Sequence, residues 1–152
     1  MASEKQLERF MHETQRAMFL FQMIEEALKT SIAYANEGIR LSLPAGIAFN
    51  MPESEYENAP LERLLTCFGR VTTNAALLKQ LNQLRYLRNY CAHKAFALAF
   101  LSEVSSTVDF ASEFAKVQGA NEAAEAAFEA MKVEMNALGE VRNAALRTRT
   151  GG

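Results

Sequence analysis

The chain has few of the residues that punctuate or staple a fold: in 152 residues there are 3 prolines, 7 glycines and 2 cysteines. So few chain breakers, together with few β-branched runs and abundant Ala, Leu, Glu and Gln, exclude collagen-like, disordered and all-β classes. Cys67 and Cys91, with no secretion signal before them, read as reduced thiols rather than a disulfide staple, and a cytoplasmic setting is expected. No stretch approaches the roughly 18 consecutive apolar residues of a membrane span, so no membrane partner is expected. A surplus of one charge is absent too. Lys plus Arg number 16 against 18 Asp plus Glu, which excludes a strongly basic nucleic-acid coat but leaves room for a small basic site. No Gly-x-Gly or Gly-Lys-Ser/Thr run occurs, which removes the common phosphate loops. The only histidines, His12 and His93, lack metal-site spacing, so neither a metal nor a cofactor is expected.

What is present is helical periodicity. Ser3 and Gln6 have capping-box spacing, and Leu7, Phe10, Met11, Met18, Phe21, Ile24, Leu28, Ile32 and Ala35 recur at three- and four-residue steps. One helix is predicted from about Glu4 to about Asn36, with Gly38 as its C-terminal cap. Pro44, Pro52 and Pro60 then define one long loop, Leu41 to Asn58. A short helix follows from Leu61, closed by Gly69, and Thr72 or Thr73 can cap the next. That third helix, about Asn74 to Leu101, has Leu77, Leu81, Leu84, Cys91, Ala95 and Leu98 on its core stripe. Ser105 to Thr107 offer a new cap. The last segment runs from Phe110 to Gly139, with Phe128, Met131, Met135 and Leu138 as its stripe and a kink or break at Gly119. The expected fold is an all-α, up-and-down bundle of four to five helices, one domain over residues 1–140. A basic tail, 141–152, carries Arg142, Arg147 and Arg149 and serves either as a solvated helix end or as an arm for RNA or a partner.

Chemistry concentrates in the third helix. Arg88 falls about 20° from the centre of the apolar stripe on an ideal helix. A guanidinium there needs an anion, and Glu25, inside the apolar stripe of the first helix, is a structural partner for it. The alternative is an arginine oriented by that acid whose tip reaches a phosphate. Asn89, His93, Phe96 and Phe100 form a second stripe, which implies either another helix of the domain or a twofold interface. Arg88 and His93 lie about 140° apart on an ideal helix, so long side chains, a local distortion or a second copy must bring them together. A histidine on such a face reads equally as a packing residue.

Arg88-Asn89-x-x-Ala92-His93, inside a long helix of a small helical protein, resembles the motif of the HEPN superfamily. The resemblance covers about Gln6 to Val117. It implies a homodimer in which two motif helices face each other across a composite cleft, and a metal-independent endoribonuclease of the toxin–antitoxin or phage-defence kind. The alternative that the family also offers is a non-catalytic module binding a nucleotide or a partner protein such as an antitoxin. In the first case His93 is the general base or acid acting on an RNA 2′-hydroxyl, Arg88 holds the scissile phosphate, and Asn89 orients one of them. Lys94 and Arg85 would add positive potential. In one branch of the family a regulatory tyrosine lies two residues after the histidine; this chain has Ala95 there.

Overall fold

A computed structural model describes residues 3–95, 97–98, 100–101 and 109–151. Among these the backbone is helical with no strand, as the composition predicts, in four α-helices. They are α1 (Glu4–Ser42), α2 (Leu61–Gly69), α3 (Ala75–Asn89), extended by a π-helical segment (Tyr90–Ala95), and α4 (Phe110–Thr150). No helix among the described residues is long and apolar enough to cross a membrane.

The capping box opens α1 as expected. Gln6 N donates to Ser3 Oγ at 3.3 Å, and Ser3 N donates to Gln6 Oε1 at 2.9 Å. The helix does not stop at Gly38. It continues to Ser42 and ends at Leu43, which is extended because the following Pro44 disfavours helical geometry in the residue before it. Gly139 does not end α4 either: that helix runs unbroken through Gly119 and Gly139 to Thr150, and Gly151, with φ +74°, closes it in the left-handed region. Residues 141–150 are thus the last turns of α4. Asn74, rather than Thr72 or Thr73, caps α3, and Asp109 caps α4. Ser105 to Thr107 lie outside the described residues.

Both glycines are contact points between α1 and α4. A Cβ built on Gly38 would sit 3.7 Å from Arg142 Cα, and one on Gly139 would sit 3.3 Å from the Tyr34 ring. Between them, Ala120, Ala124 and Ala127 of α4 are fully buried, whereas Phe128, Met135 and Leu138 are only half-buried. Of the expected stripe Met131 alone is fully buried, and small residues make up most of the rest of the buried α4 seam, because they let two backbones approach closely. Burial along this seam outweighs the roughly 1 kcal/mol that each helical glycine costs relative to alanine.

The pairings step forward together along both helices: Arg9 on Phe114, Glu13 with Asn121, Arg16 with Glu125, Tyr34 against Gly139, Glu37 with Arg142. So α1 and α4 are parallel. Alternating up and down through four helices would set them antiparallel, and the expected topology fails at this point. The 43–60 connection accounts for the difference: it returns alongside α1, placing Met51 and Tyr56 against Asn36, so that α2 starts in the same sense as α1. From there alternation holds. Arg85 pairs with Glu62 at 2.9 Å and Leu78 packs on Gly69, which makes α2 and α3 an antiparallel hairpin. Thr72 and Asn74 bond Glu134, while Tyr90 bonds Glu113, so α3 runs antiparallel to α4. One core fills the space between them, with Phe21, Ile24, Leu28, Phe68, Leu81 and Met131 at its centre.

Gly38→Ala places its methyl at ordinary contact distance and should leave stability equal or raised by roughly 0.5–1 kcal/mol. Gly38→Leu should lower it by about 1–3 kcal/mol through overpacking, with urea denaturation as the measurement. Equal stability of the two variants would contradict the close α1–α4 seam.

Candidate functional site

The motif begins at the last turn of α3, where the core stripe Leu77, Leu81 and Leu84 is buried as predicted. That stripe then meets two polar residues. Arg88 is half-buried, and its Nε lies 3.5 Å from Glu25 Oε1, so the pair expected from the two helical stripes is present. Its geometry is that of a charge contact rather than a hydrogen bond, and Nε is buried without a hydrogen-bond partner among the described residues. The approach is at Nε. Arg88 also lines a small cavity of about 90 Å³ with Pro60, Leu61, Glu62, Arg85 and Asn89. A carboxylate holding one edge of a guanidinium leaves its fork free for a second anion.

Beyond Asn89 the helix changes pitch. Tyr90–Ala95 is a π-helical turn, a distortion that is uncommon and is found frequently at functional sites. Bonds from i to i+5 place more residues in each turn, so each residue advances by a smaller angle. His93 therefore swings closer to Arg88 than the roughly 140° of an ideal α-helix. The turn is held from its buried side. Tyr90, Cys91 and Ala95 are buried, and the Tyr90 hydroxyl donates to Glu113 of α4. Burial and the adjacent Glu113 carboxylate push the Tyr90 phenol well above its ordinary value. Burial alone would raise Glu113, but the hydrogen bonds from Tyr90 and Lys116, and the charges of Lys116 and Lys94, hold it below the usual carboxylate range. Burial pushes the Cys91 thiol up to about 11, which makes it an inert thiol, and Cys67 is likewise free and buried. Nothing in the residue pattern pointed to the Tyr90–Glu113 bond, because it depends on where α4 begins.

The outward side of the turn is solvated. Asn89, His93, Lys94 and Phe100 are exposed, Phe100 at 65%, and Tyr86 continues the same face at 71%. Phe96, expected on this stripe, lies outside the described residues. Among the described residues no helix covers this part of the stripe. The structure thus brings Arg88 and Asn89 to one cavity with Arg85, and leaves His93 outside that cavity on the adjacent exposed face. Arg85 is paired with Glu62, and Lys94 acts on Glu113 rather than on the Arg88 cavity. Among the described residues no group of three metal-ligating side chains is present.

Arg88→Ala should cost roughly 1–3 kcal/mol because it leaves Glu25 half-buried and unpaired, and adding Glu25→Ala should recover part of that loss in a double-mutant cycle. Additive losses would show that the pair is not coupled. The Glu113 carboxylate, depressed in the fold, stabilises above its unfolded value near 4.5 and loses that contribution as pH falls through its folded value. The stability gap between the parent and Glu113→Gln should therefore narrow below about pH 4, read from denaturation midpoints across pH. A gap independent of pH would contradict the ionised bond to Tyr90. The chain matches no family model, no curated protein and no solved structure.

Proposed function

We propose that the chain is a metal-independent endoribonuclease of the HEPN type, whose site is completed by a second copy meeting the exposed face of the π-helical turn. One observation carries this reading. Asn89, His93 and Phe100 stand solvent-exposed on one stripe while Arg88 lines a cavity with Asn89 beside them, an arrangement that packing within one chain does not require. A homodimer through this helix would cover the apolar part of the stripe and bring two His93 and two Arg88 side chains to one cleft.

In that cleft one His93 imidazole takes the proton of an RNA 2′-hydroxyl as its oxygen attacks the adjacent phosphorus. The imidazolium of the other copy gives a proton to the departing 5′-oxygen. The products are a 2′,3′-cyclic phosphate and a free 5′-hydroxyl. Arg88 hydrogen-bonds the non-bridging oxygens as charge builds on them, and Asn89 orients the phosphate or the imidazole. Such an activity suits a toxin–antitoxin or phage-defence protein, and an antitoxin would then be its protein partner. A second reading draws on Glu25: an arginine already held by an acid is also what a non-catalytic module would keep as an anchor, with the same face docking a nucleotide or a protein.

Incubation of a mixed RNA pool in excess EDTA distinguishes the two. The parent should release 2′,3′-cyclic ends, and His93→Ala should be slower by about 10²–10⁴-fold at unchanged stability, since His93 is exposed. Phe100→Glu should lower dimer content and cleavage together. Intact RNA with both the parent and His93→Ala would move the binding-module reading ahead.

A further inference from the structure

A wide cavity lies away from the motif, at the C-terminal ends of α1 and α4. It is an open cleft of about 800 Å³ between the last turns of α1 and α4 and the loop that leaves α1. Arg40 is fifteen residues beyond Glu25, the partner of Arg88, which places this cleft about 22 Å further along α1. The cleft is therefore separate from the proposed ribonuclease site.

Two features set its chemistry. The first is an apolar wall. From Leu41 to Met51 the chain carries no charged side chain, and Leu43, Ile47 and Phe49 line the cleft. Gly46, at φ +87°, and a hydrogen bond from Ile47 N to Pro44 O at 3.2 Å form a tight turn that leaves Ile47 58% exposed. The second is a pair of guanidiniums, Arg40 and Arg149, lining the same cleft. Among the described residues neither forms an ion pair, although nine other basic residues of this acidic chain form pairs with carboxylates on nearby turns or elements.

Arginines in a last turn also offset the helix dipole, so magnitudes decide whether charge remains for a ligand. Each helix C-terminus contributes about half a negative charge, two contribute about one, and two guanidiniums supply two positive charges. About one positive charge is left over, next to an apolar wall. The volume lies within the range of small-molecule pockets, about 300–1,000 Å³, and the lining of this open cleft is divided between apolar and polar surface.

We infer that this cleft binds an amphiphilic monoanion, its carboxylate or phosphodiester head between Arg40 and Arg149 and its apolar chain along Leu43, Ile47 and Phe49. The ligand is either a free acid of this kind or an anionic lipid drawn from a bilayer, and the shared chemistry is one negative charge on an apolar chain.

Isothermal titration with dodecanoate, below its micelle-forming concentration, tests the site. Saturable one-to-one binding is expected, with dodecanol and acetate each weaker by about tenfold or more, since one lacks the charge and the other the chain. The double variant Arg40→Gln/Arg149→Gln should weaken dodecanoate by about tenfold or more and leave dodecanol unchanged. Ile47→Glu, an exposed position that folding does not rely on, should weaken dodecanoate as well. Vesicles of phosphatidylglycerol in phosphatidylcholine identify the source: co-sedimentation that dodecanoate displaces assigns a lipid, and dodecanoate binding without co-sedimentation assigns a free acid. Three results overturn the site: no saturable dodecanoate binding, binding unchanged in the double variant, or co-sedimentation with vesicles alone.

Discussion

The parallel seam of α1 against α4 is the constraint from which the other placements follow. Helices of 39 and 41 residues are about 58 Å and 62 Å long, far longer than the rest of the chain needs, and their side-by-side packing makes one rigid spine. Parallel packing sets like ends of two helix dipoles together, an arrangement that electrostatics alone disfavours. The ends carry compensating charge: Glu4 and Glu113 lie in the first turns, and Arg40, Arg147 and Arg149 in the last. Each such contact amounts to about 0.3–1 kcal/mol where solvent screens it. Burial of Phe21, Ile24, Leu28, Ile32 and Met131 counts for far more, at about 1.5–3 kcal/mol per large side chain. Apolar burial therefore fixes the direction, and the terminal charges reduce its electrostatic cost.

Periodicity made the helices legible, and it made their apolar faces legible wherever those faces are built from large side chains. The stripes of α1 and α3 fall where the spacing of Leu, Phe and Ile places them. The α4 seam was hidden because alanine and glycine carry little hydrophobic signal, while their value lies in the close approach they allow, which only the partner helix reveals. Gly38 and Gly139 resemble helix stops for the same reason. A glycine in a one-dimensional pattern marks a missing side chain, and the pattern does not say whether the space is needed for backbone curvature or for a neighbour. Topology was equally out of reach, since the long connection returns along α1 through contacts at Met51 and Tyr56 that no spacing rule encodes.

The candidate site divides along the same line. The Glu25–Arg88 contact was readable because each residue breaks an apolar stripe on its own helix, and two such interruptions in a small bundle have few places to meet. The pitch change after Asn89 was not readable. A π-helical turn gives up regular bonding and is retained only when tertiary contacts favour it. Here those contacts are the burial of Tyr90, Cys91 and Ala95 together with the reach of Tyr90 to Glu113.

That anchoring bears on how a motif of this kind is held. The core side of the turn is rigid, with a buried aromatic bonded across to α4, and the outward side carries Asn89, His93 and Lys94 in solvent. Arg88 stands at the boundary, its Nε near Glu25 while the residue also lines the cavity. A surface designed only to pack would put apolar residues outward at Asn89 and His93, and a surface designed only to dissolve would not place Tyr86 and Phe100 beside them. A face that is both polar at its centre and aromatic at its flanks fits an interface that encloses a polar site, because the aromatic flanks exclude water while the central groups keep their hydrogen-bonding capacity. The distorted turn supplies what a straight helix lacks, by bringing the histidine round toward the arginine. In the ribonuclease reading proposed above, a second copy of the same turn supplies the remaining groups by symmetry.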